Sequence, residues 1–278
     1  MNSKVIKTKT GVIEFSINGT GTPVVFVHGG HSNCFETLCH KGFDLKEFQI
    51  ITPSRPGYGK TPLNKNKTAK QAADLIIELI DELSIEKVIV YGVSAGGLTA
   101  IELASNYPNR VTKLILASAI SKKWLDVNGK VYNTAQKIFN PKVEKFTWGI
   151  VKFFSAIFPN LIAKGFYPEF SKLNQHRLNK TDVCELTNAL KNYNSSQGFL
   201  NDVDQNICAD VTSEIKCSTL IIHSKNDNSV SLDHAYHSYK MITNSQLVIL
   251  ENEWGHLFWI GKDSVLSINS TLEFIRSE

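Results

Sequence analysis

Short, continuous apolar runs recur along the first 119 residues, with helix-like segments between them. Runs typical of strands buried on both faces of a sheet occupy residues 24–27, 48–52, 87–91 and 111–117. An earlier segment, residues 12–17, roughly alternates apolar and polar side chains, which predicts a further strand. Residues 68–83 have apolar side chains at helical spacing after a potential cap at Thr68, and residues 96–107 predict a second helix that ends before Pro108. Strands that alternate with helices predict an α/β fold, a parallel sheet with helices on both faces.

This alternation stops after residue 119 and returns near residue 218. Residues 120–217 show no clear strand pattern and contain 13 of the chain's 27 aromatic residues. Strand and helix patterns then resume at residues 219–224, 232–242, 246–250 and 261–276. We therefore predict a core formed by residues 1–119 and 218–278, with residues 120–217 inserted as a helical cap.

Composition and charge exclude several classes of protein. The chain has 278 residues, 42% apolar and 20% charged, which is typical of a globular protein. A net charge of +4 without a long basic block predicts no nucleic-acid partner. The most apolar run, residues 150–158, is too short for a membrane span and includes Lys152. The chain has five cysteines without a C-x-x-C pair and no apolar segment near the N-terminus, which predicts a cytoplasmic protein. A homodimer is compatible with the sequence.

A G-x-S-x-G motif supplies a candidate nucleophile. Residues 92–96 read GVSAG, directly after the predicted strand 87–91 and before the helix at 96–107. A sharp strand-to-helix turn would expose the hydroxyl of Ser94 at the carboxyl edge of the sheet, near a helix N-terminus that favours developing negative charge. The alternative is a Gly/Ser turn that only caps the helix.

His256 is the candidate base for this serine. It follows the predicted strand 246–250 and precedes a helix, so it lies at the same sheet edge as Ser94. His223 lies within a predicted strand and is interpreted as a packed residue. His234 and His237 are interpreted as surface residues of a helix.

The acid that orients the base is expected at the end of the strand 219–224. Asp227 is the carboxylate in the loop that follows this strand. Asp233 is the alternative, although it lies in the first turn of the next helix, where Asp is common as a cap.

The order Ser94, Asp227, His256 resembles the α/β-hydrolase superfamily, in particular its carboxylesterase-like and lipase-like serine hydrolases with a helical cap. The residues that carry this resemblance are the GVSAG motif, the triad, HGG at 28–30, RPGYG at 55–59 and WGH at 254–256. The resemblance implies the α/β-hydrolase fold, with a mostly parallel central sheet. It also implies an oxyanion hole formed by the backbone N–H groups of Gly30 and Ala95, which would stabilise charge on the carbonyl oxygen.

Three other activities of this superfamily fit the sequence less well. Proline iminopeptidases resemble the chain at HGG, but their run continues with Pro-Gly, whereas here it continues with His31 and Ser32. Dehalogenases and epoxide hydrolases of this fold use an Asp nucleophile, which Ser94 excludes.

No metal or cofactor is expected. A cluster of His and Cys residues in positions 28–40 could suggest zinc, but its spacing matches no common site.

The expected activity is hydrolysis of a small to medium apolar carboxylic ester, a small-molecule substrate, through an acyl-enzyme. Alternatives are C–C bond or amide hydrolysis on the same triad, or a binding protein that has lost turnover. The candidate pocket residues are His31, Trp148, Phe153, Phe154 and Phe258. At most one of the adjacent pair, Phe153 and Phe154, is expected to face the serine.

Overall fold

A computed structural model describes residues 2–125, 129–140, 143–174 and 178–277. Within these residues, eight strands form one sheet in the order β1-β2-β4-β3-β5-β6-β7-β8. The strands are β1 (Ser3–Lys7), β2 (Val12–Gly19), β3 (Thr22–Val27), β4 (Phe48–Pro53), β5 (Val88–Val93), β6 (Val111–Ala117), β7 (Ser218–Ser224) and β8 (Ser245–Leu250). The pairs β1–β2 and β2–β4 are antiparallel, and every other pair is parallel. The predicted α/β architecture is therefore confirmed.

The helices follow the strands in the predicted alternation. They are α1 (Ala69–Glu82), α2 (Gly97–Asn106), α3 (Lys130–Ile138), α4 (Glu144–Ile157), α5 (Pro159–Phe170), α6 (Lys180–Leu190), α7 (Gly198–Asp204), α8 (Ala209–Ser213), α9 (Asp233–Met241) and α10 (Ser264–Arg276). Thr68 caps α1 as predicted: the Gln71 N–H donates to the Thr68 hydroxyl, and the Gln71 side chain accepts the Thr68 N–H. Among the described helices, none is both long enough and apolar enough to cross a membrane.

The central strands bury both faces because helices cover the sheet on both sides. Val25 and Val27 of β3 pack in a cluster with residues of α1 and α2. Val24 and Phe26, which alternate with them along the strand, pack in a second cluster with residues of α10. Continuous apolar runs are the pattern that such two-sided burial requires.

Helices α3 to α8 lie between β6 and β7, which are neighbours in the sheet. Helices α4, α5 and α6 pack on one another and share a cluster that includes Trp148, Leu186 and, from the segment after β8, Trp254. The last part of the inserted segment differs, since Ile207 and Ile215 belong to the main core cluster and α8 packs on α2. This end of residues 120–217 therefore packs with the sheet domain.

Parallel pairing brings four strand ends to one edge of the sheet. Strands β3, β5, β7 and β8 are parallel to one another through their neighbours, so the segments after them lie on the same side. His28 follows β3, Ser94 follows β5, and Asp227 and His256 follow β7 and β8. The open end of such a sheet is where α/β proteins place their ligands.

Candidate active site

Ser94 stands in a turn that only a glycine-rich sequence can form. Its backbone is left-handed, with φ of 49°, between β5 and α2. A side chain at Gly96 would place a Cβ 2.3 Å from the Val27 carbonyl oxygen, and one at Gly92 would meet the Ala100 Cβ at 2.4 Å. The two glycines of the motif therefore permit the close packing that exposes a strained serine at the strand end.

The three side chains predicted as a triad lie within hydrogen-bond distance of one another. The Ser94 Oγ is 3.0 Å from His256 Nε2, and His256 Nδ1 is 2.8 Å from Asp227 Oδ2. The other oxygen of Asp227 accepts the backbone N–H groups of Ser229 and Val230, both at 2.8 Å. Asp233, the alternative carboxylate, begins α9 and is exposed to solvent.

Asp227 is held as a carboxylate although it is buried. Burial by itself would raise the pKa of Asp227, but the attraction of His256 and hydrogen bonds from His223 and His256 lower it well below its usual range. A charged carboxylate is what an orienting acid requires, because it fixes the tautomer and the direction of the imidazole.

His223 contacts this carboxylate, a contact that the sequence did not predict. Its Nε2 lies 3.0 Å from the Val230 carbonyl oxygen and 3.2 Å from Asp227 Oδ2. Since Val230 O can only accept, Nε2 must carry the proton. His223 was correctly predicted to be packed in a strand. His223 precedes Asp227 by four residues, and this spacing is the only indication of the contact in the sequence. The contact forms because the loop after β7 folds back and places Asp227 beside the His223 ring.

The inserted helices hold the loop that carries Asp227. The Phe170 carbonyl oxygen accepts the Asn228 N–H, and the Glu169 carbonyl oxygen accepts the Ser229 hydroxyl. The ring of Phe170 lies parallel to the His256 imidazole, with centroids 6.4 Å apart. The end of α5 therefore covers the triad and holds its acid loop.

The loop with Gly29 and Gly30 lies directly against the serine. A Cβ at Gly29 would be 3.1 Å from the Ser94 Cβ, and one at Gly30 would be 4.0 Å from the Ala95 Cβ. The backbone N–H groups of Gly30 and Ala95, predicted as the oxyanion hole, are thus on neighbouring segments beside Ser94.

Arg55 holds this loop in place. Its Nε donates to the His28 carbonyl oxygen at 2.8 Å and its Nη2 to the Gly29 carbonyl oxygen at 3.2 Å. The same guanidinium forms two bonds, of 2.6 and 2.7 Å, with the carboxylate of Asp202 in α7. Asp202 also accepts the Tyr58 hydroxyl at 2.5 Å. The sequence analysis quoted Arg55 as part of a loop but did not find Asp202, because its partner is 147 residues away.

A cavity of about 1010 Å³ opens onto the triad between the sheet edge and the inserted helices. Ser94, His256, Gly30 and Ala95 line it on the sheet side. Its other walls are mainly apolar and include Trp124, Phe139, Trp148, Val151, Phe166, Phe170 and Phe199. Such a cavity has the size and lining of a small-molecule site.

Two of the five predicted pocket residues line this cavity, and three do not. His31 and Trp148 are part of its wall. Phe153 and Phe154 lie outside it, with 61% and 39% of their surface exposed. The reason is helical geometry: the inner face of α4 carries Trp148 and Val151, and residues five and six positions after Trp148 point away. Phe258 is fully buried among residues of the sheet, while its neighbours Leu257 and Trp259 reach the cavity.

The described residues contain no group of three or more His, Cys, Asp or Glu side chains placed to hold a metal ion. In the segment that suggested zinc, His40 Nε2 lies 3.2 Å from the Thr52 hydroxyl, and His31 Nδ1 lies 2.6 Å from the Ser195 hydroxyl.

Residues 22–263 match a family model described as the alpha/beta hydrolase fold. The chain belongs to this family. The fold class predicted from the GVSAG motif and the order of the triad is thereby confirmed.

Individual relatives extend over almost the whole chain. The "Uncharacterized hydrolase YcgS" of Bacillus subtilis is 37% identical over 273 residues, which is 96% of each chain. A solved alpha/beta hydrolase fold protein from Nakamurella multipartita is similar over 99% of both chains, with 23% identity and a TM-score of 0.83. An esterase from Exiguobacterium antarcticum is similar over 99% of this chain and 100% of its own, with 21% identity and a TM-score of 0.72. At these identities, the two structures show the common fold.

Proposed function

We propose that this protein is a serine hydrolase that cleaves small to medium, mainly apolar carboxylic esters through an acyl-enzyme. The observation that supports this proposal most strongly is the unbroken chain of hydrogen bonds from Ser94 through His256 to Asp227, which opens into an apolar cavity. A nucleophile, a base and an orienting acid in this arrangement are what acyl transfer requires.

The reaction begins when His256 Nε2 removes the proton of Ser94 as its Oγ attacks the carbonyl carbon of the ester. Negative charge develops on the carbonyl oxygen, and the N–H groups of Gly30 and Ala95 stabilise it. The protonated His256, held by Asp227, then gives its proton to the departing alcohol. Water attacks the acyl-enzyme with His256 again as the base, which releases the acid and restores Ser94.

The lining of the cavity supports an uncharged, largely apolar substrate. Its walls carry aromatic and aliphatic side chains, and the described lining residues include no Lys or Arg that would pair with an anionic acyl chain. The relative YcgS is named a hydrolase without a substrate, so it supports hydrolysis but not a particular ester.

A substrate panel tests the proposal. We expect the protein to hydrolyse p-nitrophenyl esters from acetate to octanoate faster than matched anilides or a diketone substrate, and to be labelled by a fluorophosphonate probe. Ser94→Ala should abolish labelling and reduce ester hydrolysis by orders of magnitude, since only binding and the oxyanion donors remain. A Ser94→Ala variant that retains more than about a tenth of kcat would refute the proposal, and faster turnover of the anilide or the diketone would assign the triad to amide or C–C hydrolysis.

A further inference from the structure

Besides His256, the cavity is lined by a second histidine whose ring has a fixed orientation, His31. His31 directly follows Gly30, in a left-handed backbone conformation with φ of 62°. Its imidazole stacks on Phe199 with centroids 3.8 Å apart, and the Phe139 ring lies 4.3 Å away. These contacts hold the ring against the wall of the cavity that contains Ser94.

Hydrogen bonds at Ser195, in the loop between α6 and α7, determine which nitrogen of this ring carries the proton. The Trp148 indole N–H, which can only donate, donates to the Ser195 hydroxyl oxygen at 2.7 Å. His31 Nδ1 lies 2.6 Å from the same oxygen. Ser195 is completely buried, and its backbone N–H donates to Glu144. Within the described part of the chain, His31 Nδ1 is the only other group hydrogen-bonded to this hydroxyl, so it is left to accept the hydroxyl's own proton, and Nε2 carries the hydrogen of the ring.

The remaining N–H of His31 is free to bind a ligand. Burial lowers the pKa of His31 to about 3, so the ring is neutral near pH 7 and must carry one proton. Nε2 has no hydrogen-bond partner among the described residues, and it is accessible from outside the protein. Since the ring lines the cavity, this N–H is available to a molecule bound there.

The charges around the cavity limit what that molecule can be. Two carboxylates, Glu36 and Glu169, are part of its wall, and the described lining residues include no Lys or Arg. Glu36 is fixed by the Ser32 hydroxyl and by the Leu38 N–H, both at 2.7 Å. An anionic group beside these carboxylates would be repelled. A neutral oxygen that accepts a hydrogen bond fits this environment.

We propose that His31 is a specificity-determining residue whose Nε2–H donates to a neutral ether, keto or hydroxyl oxygen in the acyl chain of the ester. The inference rests on the proposed function, since it assigns the substrate class of the same site. It predicts that oxygenated acyl esters are preferred over plain alkyl esters of equal size, and that Ser195 supports this preference by keeping the proton of His31 on Nε2.

Matched substrates test the preference. The p-nitrophenyl esters of methoxyacetic, 3-methoxypropionic and 4-methoxybutyric acid are compared with alkyl esters that have the same number of heavy atoms. For the wild-type protein, kcat/KM for at least one methoxy ester should exceed that of its alkyl partner by about tenfold, the value of one hydrogen bond. His31→Phe, which keeps a ring but removes the N–H, should abolish this ratio. His31→Asn, which tolerates the left-handed backbone, gives a second variant if the first does not fold.

Ser195→Ala and its control Ser155→Ala separate the effect of the Trp148–Ser195–His31 hydrogen bonds from general damage to the inserted segment. Ser195→Ala frees Nδ1 to carry the proton and should reduce the ratio by a smaller factor than His31→Phe. Ser155 of α4 is buried like Ser195, but its hydroxyl has no hydrogen-bond partner among the described residues, and the residue does not line the cavity. Ser155→Ala should leave the ratio at the wild-type value.

A spectroscopic measurement keeps this inference separate from the esterase activity. Long-range ¹⁵N–¹H correlation spectra should show His31 protonated at Nε2 and not at Nδ1, and in Ser94→Ala the uncleaved methoxy ester should shift the Nε2–H signal more than its alkyl partner. If the protein hydrolyses no ester but still shows this shift, the ligand site at His31 is supported and only the proposed esterase reaction is refuted. A ratio unchanged in His31→Phe, a proton on Nδ1, or equal shifts with both esters would each overturn the inference.

Discussion

Two imidazole rings and two backbone amides contact the carboxylate of Asp227 at hydrogen-bond distance. His256 and His223 approach the same oxygen, at 2.8 and 3.2 Å, and the amides of Ser229 and Val230 occupy the other. This arrangement leaves no freedom for the carboxylate to rotate without losing several hydrogen bonds. The orientation of His256 therefore depends on a group that is itself fixed from four sides.

If Asp227 is the proposed orienting acid, replacing it should reduce turnover almost as much as replacing Ser94. In Asp227→Asn the side-chain amide offers a donor where His256 and His223 need an acceptor, which favours the wrong tautomer of His256. We expect kcat for ester hydrolysis to fall roughly 10⁴-fold with the fold retained. Asp233→Asn is the matched control, because Asp233 is exposed at the start of α9, and its kcat should remain near that of the wild type. If Asp233→Asn were the inactive variant, Asp227 would not be the catalytic acid.

What could be predicted at this scale depended on local motifs. Ser94 is identifiable because its glycines, the preceding strand and the following helix are contiguous in sequence. Ser195 and Asp202 have no such signal: each gains its role from a side chain more than 140 residues away, His31 and Arg55 respectively. The prediction that Phe153 or Phe154 lines the pocket was wrong. An aromatic pair does not show by itself which face of its helix packs inward, and the sequence did not show that face of α4.

At the scale of elements, two-sided burial made the central strands predictable. Strands β3, β5, β6 and β7 are apolar runs, and each appears in the structure close to its predicted position. The edge strand β1 was not predicted. Its sequence, SKVIK, is mostly exposed, and pairing with β2 rather than an apolar pattern makes it a strand.

Arg55 and Asp202 link an inserted helix to the loop beside Ser94, the proposed nucleophile. Both side chains are almost completely buried, and the guanidinium also donates to the carbonyl oxygens of His28 and Gly29. Among the described residues, Asp202 of α7 is the only carboxylate that pairs with Arg55, so the inserted helices take part in positioning Gly30.

Asp202→Asn should therefore affect both stability and turnover. A buried Arg55 without its carboxylate should lower the free energy of unfolding by about 3–5 kcal/mol. Displacement of the 28–30 loop should reduce kcat for p-nitrophenyl esters more than it changes KM, because the oxyanion donors act mainly in the transition state. Urea denaturation and steady-state kinetics measure the two effects. Glu214→Gln breaks the exposed pair with Lys216 and should change neither, so equal effects in both variants would contradict this role of Asp202.

At the scale of the whole molecule, several buried or half-buried histidines are held in a neutral form. Burial lowers the pKa of His31 and of His40 to about 3. The prediction that His234 lies at the surface was wrong: it is 4% exposed, and its Nδ1 accepts the Ser121 N–H at 3.1 Å. Burial and the nearby charge of Lys122 lower the pKa of His234 to about 4. The pKa of His28 is also well below its usual value because of burial and the charge of Arg55. In the unfolded chain these groups have a pKa near 6.5, so below that pH the unfolded state binds more protons than the folded state. Their contribution to stability is complete above pH 6.5 and is lost as the pH falls toward 3–4.

The protein should therefore lose stability in mildly acidic buffer, well before most carboxylates titrate. For a histidine with a folded pKa of about 3, the loss at pH 5 relative to pH 7.5 is about 2 kcal/mol, so the four groups together make the effect large. Urea denaturation at pH 7.5, 6 and 5 measures it. His40→Gln removes one of the titrating groups and should reduce the slope of unfolding free energy against pH by up to about 1.4 kcal/mol per pH unit. His237→Gln is the control, because His237 is less buried, and it should change the slope less. If the free energy of unfolding stayed constant from pH 7.5 to 5, these histidines would take up protons in the folded protein as readily as in the unfolded chain, which would contradict the prediction.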